Sequence, residues 1–594
     1  MTGSDSILVA DCGSTRTTAA LIERVHGHHR LVARGEAIST HRMPWQDATI
    51  GVREAIRQIE ATTGRRLLNP AGMLTTPRLH AGEGVDAFAA VSSAGSPLRV
   101  VLAGLTGSLS LASARRAVAG TYALVAGTLA MDEGSARRDP NVCIKVLQQA
   151  HPDVVVIAGG TDGGARRPVV NLAQLVALYN QVLDQEERPI TFFAGNAHVA
   201  DEILSLFASS GELRVVDNVR PRPDMENLGP AQSELETVYR SRVLAQVPGF
   251  DTLDQWSGQP ILPTTRSFGR LIHYLGDRYQ LKVVGIDVGS ASTSLAARAG
   301  DLFSLNTRSD LGIGLSTRMA LSQIRLEQIS RWLPFEITPS DLQNVLLSKS
   351  RYPTSVPQTR QDLLLECALA REIIRQAVAQ AQPGWLPGGS NWLAHAPQWD
   401  LIVGVGRTLA QAPHPAYSVL MLLDAFEPVG VSQVALDHAG IASCLGALAE
   451  IHPLAAAEVV EHDAFLNLGT VVAPRGTTRR GEMALRVRVC YRDGRLVEEE
   501  VTYGSIRVIQ LPPGERAALE LRPGRRFDVG GGEPGLGVIA EAEGGILGII
   551  IDARGRPLGL PADAAVRQRL LEEWMGSLGI GQEDERREVH TADG

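Results

Sequence analysis

Two distant stretches of this chain carry the same order of apolar and polar positions. Residues 7–21 pass from an apolar run through Asp11, a glycine and several hydroxyl side chains into a second apolar run. Residues 283–295 repeat that order around Asp287. Short apolar runs separated by glycine and hydroxyl residues are typical of strands joined by a tight turn. The pattern therefore predicts two similar β-hairpins, each with an acid near the end of a buried strand.

The two predicted turns contain the residue types that hold phosphate groups. Glycine lets the backbone approach a ligand closely or adopt a positive φ, and the neighbouring N–H and hydroxyl groups can donate to phosphate oxygens. These residues are Gly13, Ser14, Thr15 and Thr17 in the first hairpin and Gly289, Ser290 and Ser292 in the second. Asp11 and Asp287 could then hold a hydrated Mg²⁺, which proteins usually bind through one or two carboxylates together with phosphates.

Between the hairpins the pattern becomes one of continuous apolar runs and helical periods. Residues 153–158 form an apolar run typical of a buried parallel strand, and the helix and strand that are predicted next complete a βαβ unit. Directly after the run comes a Gly-rich loop of Gly159, Gly160, Thr161, Asp162, Gly163 and Gly164. Such loops lie at the carboxyl ends of strands, where open α/β sheets bind ligands. The loop could hold a phosphate or carboxylate, or it could serve only to reverse the chain.

Helical periods recur elsewhere. Apolar residues at helical spacing predict amphipathic packing helices in residues 49–63 and 361–380. Residues 435–441 are predicted to open a helix that returns toward the first hairpin. Asp437 and His438 lie within it, and adjacent residues on a helix do not face each other. We therefore interpret them as a structural pair.

Beyond residue 465 the period changes to that of strands. Residues 483–489 alternate strictly between apolar and polar, and a hairpin turn at 492–495 precedes further strand-like runs. This region predicts a small all-β module, for which docking or dimerisation is the expected role. Residues 580–594 are charged and poor in apolar side chains, so we expect them to be disordered.

Length and composition are those of an ordinary globular protein. A chain of 594 residues exceeds what one hydrophobic core organises, so two to four domains are expected. The hydrophobic content of 44% and charged content of 21% are usual for soluble proteins. The net charge of −8 argues against a nucleic-acid partner. No stretch reaches the roughly 18 apolar residues that a membrane span needs, so no membrane partner is expected.

The cysteines bear on metal binding and on the cellular compartment. There are five, scattered without C-x-x-C spacing: Cys12, Cys143, Cys367, Cys444 and Cys490. This spacing argues against a zinc site, a disulfide framework and an iron–sulfur cluster. A reducing cytoplasm is the expected location.

The paired hairpins resemble those of the actin, sugar-kinase and heat-shock-chaperone ATPase superfamily. In that superfamily the two hairpins grip the nucleotide phosphates across a cleft, and a later Gly-rich turn holds the adenosine. Within it the chain is most similar to the glutamate mutase accessory proteins of the MutL or GlmL type, which are unrelated to the mismatch-repair MutL. Four further stretches carry this likeness, namely residues 90–95, 158–164, 193–196 and 261–265.

The resemblance implies a fold and a division of the chain. The fold is α/β, a two-lobed actin-like ATPase with ribonuclease H-like lobes, an inserted α/β region and a C-terminal all-β module. The adenosine turn would contain Gly404, Gly406 and Arg407. The expected segments are a first lobe (1–98), an α/β region (99–280), a second lobe (281–463), the β module (464–565), and a final helix and tail (566–594).

The resemblance also implies a function. Its members stand beside adenosylcobalamin-dependent aminomutases such as glutamate mutase, so we expect a cytoplasmic protein that binds ATP and Mg²⁺ and reactivates a cobalamin-dependent mutase. Two alternatives stay open. One is a nucleotide-binding scaffold that does not hydrolyse ATP. The other is a small-molecule kinase, which lacks an identifiable substrate acid, although Asp162 could serve. A homodimer is also open.

The second turn departs from the family pattern. That pattern commonly runs D-x-G-G-A-T-T-D, whereas this chain has Ser290 in place of the second glycine and Ser294 in place of the closing acid. A serine side chain can crowd the phosphate path, and the missing acid removes a base or metal support. We therefore expect hydrolysis to be slow or absent while binding is retained.

Overall fold

The computed structural model describes residues 5–132, 140–385 and 398–581. Within these ranges the chain has a mixed α/β fold with four β-sheets. The disorder expected for residues 580–594 concerns residues that lie almost entirely outside the described ranges. Among the helices of the described ranges, none is long and apolar enough to cross a membrane.

The elements of the first half alternate between strands and helices. The strands are β1 (Ser6–Cys12), β2 (Arg16–Val25), β3 (His28–Ile38), β4 (Ala87–Ser92), β5 (Leu98–Gly104), β6 (Ala123–Ala130), β7 (Val154–Ala158), β8 (Ile190–Phe193), β9 (Leu213–Val215) and β10 (Leu262–Pro263). The α-helices are α1 (Ala48–Thr63), α2 (Ser110–Ala119), α3 (Pro140–Ala150), α4 (Arg167–Gln181), α5 (Ala200–Phe207), α6 (Gly229–Val238), α7 (Phe250–Ser257) and α8 (Thr264–Tyr279).

The second half is richer in strands toward its end. Its strands are β11 (Val283–Val288), β12 (Thr293–Ala299), β13 (Leu302–Arg308), β14 (Leu401–Val405), β15 (Gly430–Leu436), β16 (Leu466–Ala473), β17 (Met483–Tyr491), β18 (Leu496–Thr502), β19 (Ile506–Ile509), β20 (Arg516–Pro523), β21 (Val538–Glu543) and β22 (Ile549–Asp552). Its α-helices are α9 (Thr317–Ala320), α10 (Leu326–Ser330), α11 (Pro339–Arg351), α12 (Arg360–Ala381), α13 (Arg407–Ala410), α14 (Pro415–Phe426), α15 (Ala442–Ile451), α16 (Pro453–His462) and α17 (Ala564–Ser577).

Two sheets share the same local strand order. The first-hairpin sheet has the order β10-β4-β1-β2-β3, in which β1 pairs antiparallel with β2 and parallel with β4. The long sheet has the order β13-β12-β11-β14-β15-β16-β22-β19, in which β11 pairs antiparallel with β12 and parallel with β14. Both predicted hairpins are therefore present. In each, the first strand has a parallel neighbour on the edge away from the second strand.

Helices α8 and α15 pack between these two sheets. Phe268 and Leu445 are buried in a core cluster that also contains residues of β1, β4 and β14. The two helices cross closely, because a Cβ atom added to Gly446 would lie 2.2 Å from the carbonyl oxygen of Ser267. This crossing joins the two hairpins' sheets through one apolar core.

The middle of the chain forms a separate sheet in which every pair is parallel. Its order is β6-β5-β7-β8-β9. All residues of β7 are buried, which confirms the prediction of a buried parallel strand from its continuous apolar run. The order reverses between β5 and β7, which is the place where ligands bind in open α/β sheets.

The predicted C-terminal all-β module is only partly present. Strands β17, β18, β20 and β21 form a four-stranded antiparallel sheet, and the alternation around Val487 places its apolar side chains inward. Strands β16, β19 and β22 instead extend the long sheet. The small all-β module expected at residues 464–565 is therefore only partly present, because three of its strands belong to the long sheet.

The two amphipathic helices are confirmed. Asp47 caps α1 by accepting a hydrogen bond from the Thr49 backbone N–H, and Gly64 ends it with a φ of 71°. Helix α12 covers the second predicted segment and begins with a capping box at Thr359. Both helices bury apolar faces against their sheets, as their periods indicate.

Candidate functional site

A cavity of about 640 Å³ lies between the two hairpins. Its walls come from both hairpin turns, from the turn after β14 and from the loop after β15, with α11 and α12 on the outer side. The volume falls within the roughly 300–1,000 Å³ of small-molecule and cofactor sites. Of the residues predicted from the sequence, it brings together Asp11, Gly13, Ser14, Thr15, Asp287, Gly289, Ser290, Gly406 and Arg407.

The first turn, Gly13 to Thr15, is held against the strand that follows the hairpin. The Ser39 hydroxyl donates to the carbonyl oxygen of Gly13 at 2.8 Å, and the Ser39 N–H donates to the carbonyl oxygen of Thr15. A Cβ atom at position 13 would lie 2.6 Å from the carbonyl oxygen of Arg16. Position 13 therefore requires glycine for the chain to turn this tightly.

The second turn closes in a similar way. The Gly289 N–H donates to the carbonyl oxygen of Ser292 at 2.9 Å, and the Ile313 N–H donates to the carbonyl oxygen of Gly289. The Ser290 hydroxyl accepts a hydrogen bond from the Leu315 backbone N–H at 3.2 Å. This side chain therefore has a partner in the loop after β13.

The third turn lies directly beside the second. Strand β14 pairs with β11 so that Val405 is opposite Asp287. Gly406 has a φ of 100°, and a Cβ atom there would lie 2.3 Å from the carbonyl oxygen of Val288. Only glycine satisfies both conditions. Arg407, which follows at the start of α13, therefore emerges next to the second hairpin.

Three carboxylates meet in the cavity, from Asp11, Asp287 and Asp437. Burial raises the pKa of Asp11 to about 7, and the charge of Asp287 adds to the rise. Burial also raises the pKa of Asp287 to about 7, with Asp437 as the further cause. Among the described residues, the Thr264 hydroxyl counteracts the rise for Asp11, and backbone N–H groups and His438 counteract it for Asp437. Mutual repulsion of unpaired acids is relieved by a bound cation.

Asp437 is a functional candidate that the sequence interpretation missed. The helix expected at residues 435–441 is wrong, because β15 continues to Leu436 in parallel pairing with β14, and the helix begins only at Ala442. The carboxylate of Asp437 accepts hydrogen bonds from the N–H groups of Ile441 at 3.1 Å and Ala442 at 2.9 Å. Burial raises its pKa, while these N–H groups counteract the rise.

The acids fit a magnesium ion that also binds phosphate. In the described part of the chain, no cluster of three or more His, Cys, Asp or Glu side chains is arranged as a ready metal site. Mg²⁺ usually keeps several waters and takes one or two carboxylates plus phosphate oxygens. The Thr264 hydroxyl donates to Asp11 at 3.3 Å and orients it. Asp11 and Asp287 thus suit Mg²⁺ that arrives with a nucleotide.

The outer part of the cavity carries a polar chain from three helices. Lys349 Nζ lies 2.6 Å from Glu366 Oε2, and the Thr408 hydroxyl donates to Glu366 Oε1 at 2.9 Å. All three residues line the cavity. No sequence motif predicts these three residues, because α11, α12 and α13 come into contact only in the folded chain.

Three predicted residues are not among the described residues that line the cavity. Thr17 is buried, and its hydroxyl lies close to Gly51 of α1. Gly404 packs in the core, since a Cβ atom there would lie 3.2 Å from the side chains of Leu422 and Leu436. Ser292 contributes its carbonyl oxygen to the second turn.

The Gly-rich loop, residues 159–164, is elsewhere, at the carboxyl end of β7. Its groups bond to neighbouring loops: the Gly163 N–H donates to Asn196 Oδ1 at 3.1 Å, and the Asp162 carboxylate accepts from the Ala197 N–H at 3.0 Å and from Asn218 Nδ2 at 2.9 Å. The loop is not among the described residues that line the cavity. These bonds support the interpretation as a chain reversal.

The sequence is similar to one protein family and to a curated protein. The sequence profile of a family described as MutL protein matches residues 7–464. Protein MutL of Clostridium tetanomorphum is 24% identical over 303 residues, which are 50% of this chain and 58% of that protein. The chain therefore spans little more than half the length of this curated relative.

Solved structures give weaker likenesses. A glycerol dehydratase reactivase is 11% identical with a TM-score of 0.31, covering 75% of this chain and 100% of that chain. A nucleotide-free diol dehydratase-reactivating factor is 9% identical with a TM-score of 0.29 over the same shares. A nucleotide-free acetone carboxylase is 11% identical with a TM-score of 0.30, covering 84% of this chain and 81% of that chain. TM-scores this low do not establish a shared fold.

Proposed function

The chain belongs to the MutL protein family, and on this premise we propose that it is an ATP-binding accessory protein that reactivates an adenosylcobalamin-dependent aminomutase such as glutamate mutase. The observation that carries the ATP part is the cavity in which Asp11 and Asp287 face each other from two hairpins with the same strand order. The same repeat of strand order supports a two-lobed actin-like arrangement of residues 1–98 and 281–463. The aminomutase partner follows from the family resemblance.

The proposed site divides its work among few residues. The turns that begin at Gly13 and Gly289 present backbone N–H groups to phosphate oxygens, and Asp11 and Asp287 hold the metal. Mg²⁺ would neutralise charge on the phosphate chain. The carboxylate of Asp287 can also orient an attacking water by accepting a hydrogen bond from it. Hydrolysis would be slow, since Ser294 replaces an acid.

Calorimetry and thermal melting test nucleotide binding. We expect heat of binding and a higher melting temperature when ATP is added with Mg²⁺ at millimolar concentration, because a ligand of the native state stabilises it. Omitting Mg²⁺ should weaken both signals. No heat and no shift with Mg²⁺ would rule out the proposed site.

A reactivation assay tests the partner. A cobalamin-dependent glutamate mutase inactivated by turnover should regain activity when this protein, ATP, Mg²⁺ and fresh adenosylcobalamin are added together. The Asp11→Asn variant is the matched control and should restore little activity. Recovery that does not depend on this protein would contradict the proposed role.

The kinase alternative receives no support from the position of Asp162. Its carboxylate is already engaged by Ala197 and Asn218, and it is not among the described residues that line the cavity. The scaffold alternative differs from our proposal only in hydrolysis. Measuring phosphate release from ATP separates the two.

A further inference from the structure

The cavity has a basic wall in addition to its acidic one. Arg16, Arg34 and Arg407 all line it. Glu36 also lines it and contacts two of them, at 3.0 Å from Arg16 Nη1 and 2.6 Å from Arg34 Nη2. These residues are not explained by the hairpin turns or by the metal-binding acids. We refer to the three arginines as the arginine wall.

The arginine wall draws on both sides of the cavity. Arg16 and Arg34 lie on β2 and β3 of the first-hairpin sheet, whereas Arg407 begins α13 beside the long sheet. Arg34 also reaches the loop after β15, because a Cβ atom at Gly440 would lie 3.4 Å from its Nη2. A ligand held by all three would therefore contact both sheets at once.

Among the described residues, the acids that contact the arginine wall do not balance its three positive charges. Glu36 is the acid that contacts Arg16 and Arg34, and Arg407 Nε donates to the neutral Gln411 at 2.6 Å. The other acid that affects Arg407, Glu366, is engaged by Lys349. An excess of two positive charges remains. Unpaired cations in a partly buried site favour an anion.

Two donors in the wall also lack acceptors. The Nε groups of Arg16 and Arg34 are buried and have no hydrogen-bond partner among the described residues. Burial lowers the pKa of Arg407, and the charge of Arg16 adds to the effect. Unsatisfied buried donors and crowded cations both cost stability, and a multiply charged anion would relieve this cost.

The distance between the arginine wall and the metal-binding acids suits a phosphate chain. Asp11 is opposite Thr18, and Thr18 is opposite Glu36. Neighbouring strands are about 4.8 Å apart, so Glu36 lies two strand spacings, roughly 10 Å, from Asp11. A phosphate chain with a metal at one end can span this distance.

We propose that Arg16, Arg34 and Arg407 bind the phosphate chain of a metal-bound nucleoside triphosphate and make the site prefer the triphosphate to the diphosphate. The proposal rests on nucleotide binding at this cavity, as proposed above. Guanidinium groups bind phosphate oxygens through paired N–H donors. Since ATP carries more negative charge than ADP, an arginine wall strengthens ATP binding most and adenosine binding least.

Calorimetry on the full chain with Mg²⁺ tests this proposal. It measures the binding of four ligands: ATP, ADP, tripolyphosphate and adenosine. The proteins measured are the wild type and the variants Arg16→Gln, Arg34→Gln and Arg407→Gln. Each substitution should weaken ATP and tripolyphosphate by about 10-fold, as expected for a lost charge-assisted hydrogen bond. ADP should weaken less, and adenosine should not change. Arg407→Lys keeps the charge and should retain most of the preference. Arg24→Gln is the matched control, because Arg24 lies on β2 outside the cavity, 3.7 Å from Asp5.

The outcomes are distinguishable. A wild type that binds neither ATP nor tripolyphosphate overturns the proposed function and this inference together. A wild type that binds ATP, with variants that keep the ATP-to-ADP ratio, overturns only this inference. Equal weakening of all four ligands, adenosine included, also overturns it, because that pattern indicates a structural role. Melting curves of each variant without ligand exclude unfolding as the cause.

Discussion

The two hairpins have the same backbone arrangement but different side chains on equivalent positions. In the first, the row across the sheet is Asp11, Thr18 and Glu36. In the second, the equivalent row is Asp287, Ser294 and Thr307. Both rows start with an acid whose pKa is raised to about 7 by burial.

The rows differ at their far ends. Glu36 forms ion pairs with Arg16 and Arg34 at the cavity. Ser294 and Thr307 are buried and their hydroxyl oxygens lie 3.3 Å apart. The first hairpin thus carries charge toward the cavity, whereas the second is closed by neutral hydroxyls. The comparison teaches that a repeated turn sequence predicts a repeated backbone, but not equal electrostatic roles.

The largest expected effect on ATP turnover comes from replacing the aspartate of either hairpin, Asp11 or Asp287. Asp11→Asn and Asp287→Asn keep the side-chain shape but remove a charge that holds metal and positions water. ATP turnover should fall by about 10-fold or more in either variant, roughly 1.4 kcal/mol of barrier. Steady-state phosphate release measures it.

Ser14→Ala is the milder control on the first turn, where the backbone N–H groups stay in place. A large loss in only one of the two asparagine variants would break the symmetry of the comparison. Unchanged turnover in both would mean that the hairpins are structural.

The second expected effect is on stability against pH without metal or nucleotide. An aspartate in the unfolded chain has a pKa near 3.9, whereas in the folded protein the pKa of Asp11 and of Asp287 is about 7. The folded state therefore binds more protons between these values, and stability falls as pH rises from about 4 to about 7.

Melting temperatures from pH 5 to pH 8 measure this fall. Each asparagine variant should melt at least about 2 °C above wild type at pH 8, with a smaller difference at pH 5. Equal slopes for Asp11→Asn and Asp287→Asn would sharpen the comparison, because they would show that the acids behave alike in unlike surroundings. A difference from wild type that does not change with pH would contradict it.

A smaller effect is expected from making the second hairpin more like its relatives. Ser290→Gly with Ser294→Asp restores the glycine and the acid, and should raise turnover while ATP affinity stays within a few-fold, since hydrolysis depends on placing charge in the transition state and binding does not. Turnover and calorimetry on the same samples test it.

Ser294→Asn is the matched control, because it enlarges the side chain without adding charge. Ser290→Gly alone removes the acceptor of the Leu315 N–H and shows what that bond contributes. Fast turnover in the wild type would refute the premise, as would tighter binding without faster hydrolysis in the double variant.

The smallest effect is expected away from both hairpins. Asp162→Asn should change ATP affinity and turnover by less than about 2-fold. The reason is that substitutions at distant sites usually couple by no more than about 0.4 kcal/mol of free energy. The melting temperature should also change little, because Asp162 accepts both of its hydrogen bonds on Oδ1 and an asparagine keeps that oxygen. A large loss of turnover would revive the kinase alternative.

The local elements of this protein could be predicted from the sequence alone. Both hairpins, the strand after residue 153, helices α1 and α12 and the alternation of β17 were predicted, because each depends on the period of apolar residues within one short segment. The tight turn at Gly13 was predictable for the same reason, since its steric requirement involves only Arg16, three residues away.

Which distant residues come into contact depends on the tertiary structure. Asp437 joins Asp11 and Asp287 because β15 pairs with β14, and β22 joins the long sheet because it pairs with β16. The arginine wall forms because Arg407 of α13 and Arg34 of β3 line the same cavity. Pairing of strands and crossing of helices depend on contacts between segments tens to hundreds of residues apart. The period of a single segment carries no information about its partner.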